Sequence, residues 1–188
     1  EDPHILIASY GDLLRVPGTD PEENLLLKKA KGAHVEMVYS PMDALELSYA
    51  YPQLDVLFLG VGFETTASGT AACILKAAEE QVKNFSVLSL LKKTEPALRS
   101  LITAEDFAVD GFLCPGHVAA VTGSDAFAFL PREFHLPAVV SGFDAADLLY
   151  SILELTHMLA VHRPALVNTY TRLVRPEGNP LAQEYINA

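Results

Sequence analysis

The sequence predicts an α/β fold with parallel sheets flanked by helices. Short runs rich in Val, Ile, Leu and Phe recur along the chain and are apolar on both faces, as strands of buried parallel sheets are. Helical patterns lie between them, and this alternation is typical of βαβ units. Polar residues gather where the runs end. The predicted strands are 5–9, 35–39, 56–60, 85–90, 111–114 and 138–141.

Helix starts and stops are marked by capping residues. Asp20 is a suitable N-cap for the first helix, which has lysines in its last turn and Gly32 just past its end. Ser40 and Pro41 open the second helix as a cap followed by proline at the first helical position. The predicted helices are 21–31, 41–49, 66–82 and 145–161, and a further helix could begin at Ala119.

Composition excludes several classes of function. The 188 residues carry a formal net charge of −11, which argues against nucleic-acid binding because phosphate contacts need clustered Lys and Arg. The longest apolar runs are too short to span a membrane. Two cysteines and no signal-peptide pattern favour a cytoplasmic location. The chain opens at Glu1 without methionine, so we expect a piece of a longer or processed protein.

Cys114 and His117 are the first candidates for chemistry. They lie three residues apart on one turn, where Gly116 gives the backbone freedom, and both could face one bound atom. A nearby imidazolium or helix N-terminus lowers a thiol pKa, which would make Cys114 a nucleophile. The alternative is a buried cysteine in the core beside a histidine bonded to backbone. Two residues cannot form a closed zinc site.

Glu64, Thr65 and Thr66 follow the third predicted strand directly. The threonines could simply cap the next helix. Glu64, between Phe63 and Thr65, could be desolvated and act as an acceptor or proton carrier. The nearby glycines form only a fragment of a dinucleotide-binding fingerprint, which we reject.

Weaker candidates lie at other strand ends. Asp12 and Arg15 follow the first strand and could form a charge pair. Asp144 and Asp147 flank the start of the last long helix, where acids interact favourably with the helix dipole without any ligand. Cys73, inside a helical segment, is interpreted as a core residue.

The strand-end loops, taken in order, resemble those of the hydrogenase maturation factor HypD family. The resemblance covers essentially the whole chain. The matching segments are 11–18 (GDLLRVPG), 38–44 (VYSPMDA), 62–67 (GFETTA), 110–118 (DGFLCPGHV), 142–144 (GFD) and 170–180 (YTRLVRPEGNP).

The resemblance implies a role in building the Fe(CN)2CO centre of nickel–iron hydrogenases. With the chaperone HypC, the family forms a scaffold on which iron receives two cyanides, delivered through HypE, and one carbon monoxide. It also implies two small Rossmann-like lobes around a cleft, and a third part that carries a [4Fe–4S] cluster. We therefore expect a partial first lobe at 1–52, a second lobe at 53–141, and a helix and tail at 142–188 that return to the first lobe.

The family's cleft loops map onto residues of this chain. They imply Glu64, Cys114 and His117 as the chemical groups and Thr65, Thr66, Gly116, Asp12 and Arg15 as cleft residues. No metal ligand is assigned. The family's iron-binding and redox cysteines precede this region and its cluster cysteines follow it, so we expect no cluster on this chain. Single-residue departures from the family pattern fall at Ser68, Leu91, Ala119 and 144–145.

Three functions are consistent with the sequence. The leading hypothesis is a HypD-like scaffold fragment for iron-centre assembly with HypC-like and HypE-like partners, which does not require enzymatic activity. The second is a thiol-dependent enzyme in which His117 activates Cys114. The third is a metal-free module that binds a partner protein.

Overall fold

The computed structural model describes residues 2–188, which form two compact units. The first unit contains residues 2–62, 66–91 and 188, and the second contains residues 63–65 and 92–187. Each unit has one parallel sheet, of four and three strands respectively. The predicted α/β class is therefore confirmed.

The sheet of the first unit has the strand order β2-β1-β3-β4. Its central strands β1 and β3 supply the core residues Leu6, Ala8, Val56 and Phe58, and Phe58 is fully buried. All four predicted strands of this unit are present, within two residues of the predicted ends. The strands are β1 (Ile5–Tyr10), β2 (Val35–Val38), β3 (Asp55–Gly62) and β4 (Phe85–Leu91).

Local capping explains where the helices of this unit begin. At the start of α2, the Ser40 hydroxyl accepts from the Asp43 N–H at 3.2 Å and Asp43 accepts from the Ser40 N–H at 3.0 Å, so both orphan amides are paired. Two further amides near the chain start are capped by Asp12 and Asn24. The elements are a 3-10 turn (Leu13–Arg15), α1 (Leu25–Ala30), α2 (Pro41–Ala50) and α3 (Glu64–Glu79), whose first two residues lie in the second unit.

The predicted start of the first helix is wrong. Asp20 does not cap it, because its carboxylate accepts from the Glu22 N–H at 3.0 Å within a turn. The helix begins instead at Leu25, where Asn24 accepts from the Leu27 N–H at 2.9 Å. Gly32 does follow its end, with a φ of 100°.

The sheet of the second unit has the order β5-β6-β7, and its strands carry the second core. Strand β6 is buried along its whole length, and its predicted bounds are confirmed. The sequence did not predict β7, α4, α6 or α8. The elements are α4 (Thr94–Ile102), β5 (Phe112–Pro115), α5 (Gly116–Thr122), a 3-10 turn (Ser124–Phe127), α6 (Phe129–Glu133), β6 (Ala138–Ser141), α7 (Ala145–Ala160), β7 (Leu166–Asn168) and α8 (Pro180–Asn187).

The expected lobe boundaries at 52/53 and 141/142 do not coincide with these units. Strand β3 pairs with β1 and β4 pairs with β3, so residues 53–62 and 66–91 belong to the first sheet's unit. Strands β6 and β7 continue the sheet that begins with β5, so the segment 142–187 lies in the second unit. Pairing between strands distant in sequence decides both boundaries. Across residues 2–188, no helix has the length and apolar character needed to cross a bilayer.

Candidate functional site

Three strand-end turns of the second unit pack closely around Gly116. Strand β5 ends at Pro115, and α5 begins at Gly116 without a side-chain cap. A β-carbon at position 116 would lie 2.4 Å from the Ser141 carbonyl oxygen and 2.6 Å from Cδ1 of Tyr170. Only glycine fits at that distance. The turns that follow β5, β6 and β7 are thereby fixed against one another.

His117 lies on the exposed side of this arrangement. Its ring centroid is 5.2 Å from that of Phe143, with the two rings tilted by 45°. Both side chains are exposed. The turns after β5 and β6 therefore present an imidazole beside an aromatic ring at the carboxyl edge of a parallel sheet, where ligands of such sheets bind.

Cys114 points into the core rather than toward His117. Its side chain is 3% exposed and packs with Val118, Ala119 and Val140. Burial raises the pKa of this thiol to about 12, so it is protonated at neutral pH. The geometry is that of a core cysteine and does not support the thiol-dependent enzyme.

We expect Cys114 to react with iodoacetamide no faster than Cys73 in the folded chain. Both thiols are buried, and burial raises the pKa of Cys73 to about 11. The alkylation rate of each should rise steadily with pH, without a plateau near neutrality, and increase sharply on unfolding. Mass spectrometry of the two cysteine peptides over time measures this. Rapid, selective labelling of Cys114 at neutral pH would contradict the buried placement.

Glu64 forms a bidentate link to the start of α4. Its Oε1 accepts from the Thr94 backbone N–H at 2.7 Å, and its Oε2 accepts from the Thr94 hydroxyl at 2.7 Å. Lys93, the N-cap residue of α4, makes no side-chain capping bond. Glu64 therefore caps a helix 30 residues along the chain, and its negative charge lies at the favourable end of that helix dipole.

A cavity of about 480 Å³ lies beside Glu64 within the second unit. Its lining includes the apolar residues Val118, Val121 and Phe127 and the polar residues Lys93 and Gln183. His117 is not one of the described residues that line this cavity. Glu64 and His117 thus lie in the same unit, but of these two residues only Glu64 borders the cavity.

The remaining predicted site residues are divided between the units. Thr65 is exposed in the second unit. Thr66 lies in the first unit, where its carbonyl oxygen accepts from the Thr70 hydroxyl at 2.9 Å. Asp12 and Arg15 follow β1 in the first unit and are exposed, and Asp12 accepts from the Leu13 N–H at 3.0 Å. The role of these four residues stays a prediction.

The structure adds an ion-pair cluster that sequence reasoning did not find. Arg172 donates from Nη1 to Asp147 at 2.7 Å and from Nη2 to Asp144 at 3.1 Å, and its guanidinium lies 4.4 Å over the Tyr170 ring. The guanidinium lowers the pKa of Asp147. Through Arg172, Asp144 and Asp147 thus link the start of α7 to the tail segment. In the sequence, the only indication of a role for Arg172 was its position in the segment 170–180, which resembles a loop of the HypD family.

The residues present do not fit an iron–sulfur cluster. Such clusters are held by several cysteine thiolates. Within the described chain, Cys73 and Cys114 are buried in different units, and no group of three or more His, Cys, Asp or Glu side chains could hold a metal ion.

Comparison with known proteins gives a consistent match. Residues 1–188 match the family model described as "HypD: Hydrogenase formation hypA family". The chain is 42% identical over 184 residues to the hydrogenase maturation factor HypD of Escherichia coli (strain K12), covering 98% of this chain and 49% of that protein. It is 40% identical over 177 residues to HypD of Rhodobacter capsulatus (94% and 46%) and 40% identical over 182 residues to HypD of Azotobacter vinelandii (94% and 48%).

These matches and the parallel α/β units with polar strand-end turns define a chain of the hydrogenase maturation class. The chain belongs to the HypD family. It spans about half the length of the curated relatives it matches.

Proposed function

We propose that this chain forms part of a scaffold on which the Fe(CN)2CO centre of nickel–iron hydrogenases is assembled. Membership of the HypD family supports a role in hydrogenase maturation. The exposed pair of His117 and Phe143, fixed by the close contact of Gly116 with Ser141 and Tyr170, is the observation that carries the proposal at the level of residues.

In this proposal the iron is cargo, and the chain contributes a wall to the assembly site. The cyanide nitrogen and carbonyl oxygen of an iron complex accept hydrogen bonds. The exposed His117 imidazole N–H can donate to such acceptors, and Thr65 stays a predicted neighbour in the same unit. A HypC-like chaperone would complete the scaffold, and a HypE-like protein would deliver cyanide.

Glu64 has a supporting role in the same proposal. Its carboxylate is held by Thr94 and borders the apolar cavity, where it can accept a further hydrogen bond or relay a proton. Thr66, Asp12 and Arg15 lie in the first unit and stay predicted site residues, whereas Gly116 lies in the second unit with Glu64. For Gly116, the contribution is to hold the turn that carries His117.

A metal-free partner-binding module is the second candidate function. Residues 2–188 contain no group of three His, Cys, Asp or Glu side chains that could bind a metal ion, which favours this second function. The two functions differ in one measurable property, which is whether iron retention depends on this chain.

Anaerobic iron retention tests the proposal. Ferrous iron is added to the chain, to a HypC-like chaperone, and to the two together, and bound iron is quantified after gel filtration. We expect the mixture to retain more iron than the sum of the separate proteins. A complex that forms but holds no more iron than the chaperone alone would contradict the scaffold role and support the partner-binding module.

A further inference from the structure

The ring of Tyr170 packs against both turns that carry the exposed pair of His117 and Phe143. A β-carbon at Gly116 would lie 2.6 Å from Cδ1 of this ring, and one at Gly142 would lie 2.7 Å from its Cε2. Gly116 directly precedes His117, and Gly142 directly precedes Phe143. A displaced ring would therefore change the spacing of the two turns and of the side chains that they carry.

Backbone contacts fix the main chain of Tyr170 but do not hold its ring. The Thr169 N–H donates to the Val140 carbonyl oxygen at 3.1 Å, and the Tyr170 N–H donates to Oδ1 of Asn168 at 3.0 Å. The Tyr170 carbonyl oxygen accepts from the Val174 N–H at 2.9 Å. The orientation of the ring is thus left to the side chains that pack on it.

Arg172 is the charged side chain that covers this ring. Its guanidinium carbon lies 4.4 Å from the centroid of the Tyr170 ring, well within the range of cation–π attraction. A guanidinium is planar, so it can lie on an aromatic ring and still donate hydrogen bonds at its edge. Arg172 can therefore hold the ring only if its own position is fixed.

Two carboxylates fix the guanidinium. Asp147 accepts from both terminal nitrogens of Arg172, at 2.7 Å from Nη1, and Asp144 accepts from Nη2 at 3.1 Å. The Asp147 side chain is only 12% exposed, and a β-carbon at Gly142 would clash with its Oδ2. Asp147 therefore packs directly on the backbone of the second turn, and Asp144 directly follows Phe143.

We propose that Arg172 is a positioning residue that holds the pair of His117 and Phe143 in place. It acts on both turns through the Tyr170 ring, and on the second turn also through its two carboxylate partners. The inference rests on the proposed function, because that function assigns the pair to the wall of the assembly site. An arginine outside the pair then controls how the imidazole N–H is directed at bound cyanide and carbon monoxide.

This role requires the shape of arginine and not only its charge. The fork of Arg172 makes two hydrogen bonds to Asp147 while its face lies on Tyr170, and a lysine ammonium cannot do both. Its positive charge is already shared between two carboxylates, so a direct contact with an anionic ligand is not needed. Arg172→Lys should therefore disturb the pair, as Arg172→Gln does.

Proton NMR of the His117 imidazole tests the proposal without iron. The signal is identified by its absence from the His117→Ala spectrum. Its ring centroid lies 5.2 Å from that of Phe143, so Phe143→Leu shows how far the signal shifts when the neighbouring aromatic ring is lost. We expect Arg172→Gln, Arg172→Lys and Asp147→Asn each to shift the His117 signal towards its position in Phe143→Leu, while the circular dichroism spectrum stays that of the folded chain.

Arg99→Gln is the matched control. Arg99 lies in the same unit, pairs with Glu95 and Glu133, and has its guanidinium carbon 4.5 Å from the centroid of the Phe129 ring. Removing it breaks a cluster of the same kind and should leave the His117 signal unchanged. A His117 signal that does not move in Arg172→Gln, or that moves equally in Arg99→Gln, would overturn the proposal.

Iron retention with a HypC-like chaperone separates this inference from the proposed function. Arg172→Lys and Asp147→Asn should each retain less iron than the unmodified chain, in a complex that still forms. If only Arg172→Gln retains less, the arginine contacts the ligand by its charge and the positioning role is wrong. A shifted His117 signal in a chain whose unmodified form retains no iron would contradict the assembly role but still support the positioning role of Arg172.

Discussion

Gly116→Ala is expected to destabilise the second unit by about 3 kcal/mol or more, because overpacking against fixed backbone cannot be relieved by a side-chain rotation. The new methyl group would lie 2.4 Å from the Ser141 carbonyl oxygen and 2.6 Å from the Tyr170 ring. The turns after β5, β6 and β7 would have to separate. Chemical denaturation followed by circular dichroism measures the loss.

Gly69→Ala is the matched control for this substitution. Gly69 lies within α3, and a β-carbon there would meet only Cγ of Pro41 at 4.0 Å. Alanine at that site should leave stability unchanged or raise it by up to about 1 kcal/mol, since it restricts the unfolded chain. Equal stability of the Gly116→Ala and Gly69→Ala variants would contradict the close contact of the three turns.

Glu64→Ala is expected to cost about 2 kcal/mol, because it leaves the Thr94 N–H and hydroxyl without their acceptor at a largely buried position. Both contacts are 2.7 Å long, and Glu64 is 9% exposed. Glu64→Gln retains one acceptor oxygen, so it should cost clearly less. Denaturation midpoints of the two variants measure the difference.

A double-mutant cycle with Thr94→Val isolates this link. If Glu64 acts through Thr94, the Glu64→Ala and Thr94→Val losses should be strongly non-additive, since either change removes the same hydroxyl contact. Additive losses would show that Glu64 stabilises the unit through other contacts.

Local sequence signals predicted most of the regular elements. Strand Ala138–Ser141 is a short apolar run that is buried on both faces, and its bounds were predicted correctly. The Ser40 cap was also visible, because its partner Asp43 is only three residues away. In contrast, Asp20 and Asn24 are both suitable caps by residue type, and the helix begins after Asn24 because Asp20 is bonded within a turn.

Contacts distant in sequence could not be predicted from these signals. The pairing of β3 with β1 determines the division into units, and no local pattern encodes it. Strand β7 has only three residues, too few for a periodic pattern. The capping role of Glu64 depends on Thr94, which lies 30 residues away.

The directions in which the site side chains point also could not be predicted from local sequence, because they depend on the packing of the whole unit. The spacing of Cys114 and His117 allowed both side chains to face one ligand. In the structure Cys114 ends in the core, whereas His117, three residues later, is exposed on α5. The helical pattern of α7 was likewise visible in sequence, but the burial of Ser151 against Ser141 depends on the sheet that the helix packs against.

Anaerobic iron retention by a His117→Ala variant with a HypC-like chaperone tests the proposed assembly role most directly. His117 is exposed, so the variant should keep the thermal stability of the unmodified chain. The proposal predicts that its complex with the chaperone still forms but retains markedly less iron loaded with cyanide and carbon monoxide. Iron retention equal to that of the unmodified chain, in a complex of equal stability, would contradict the assignment of this strand-end surface to the iron centre.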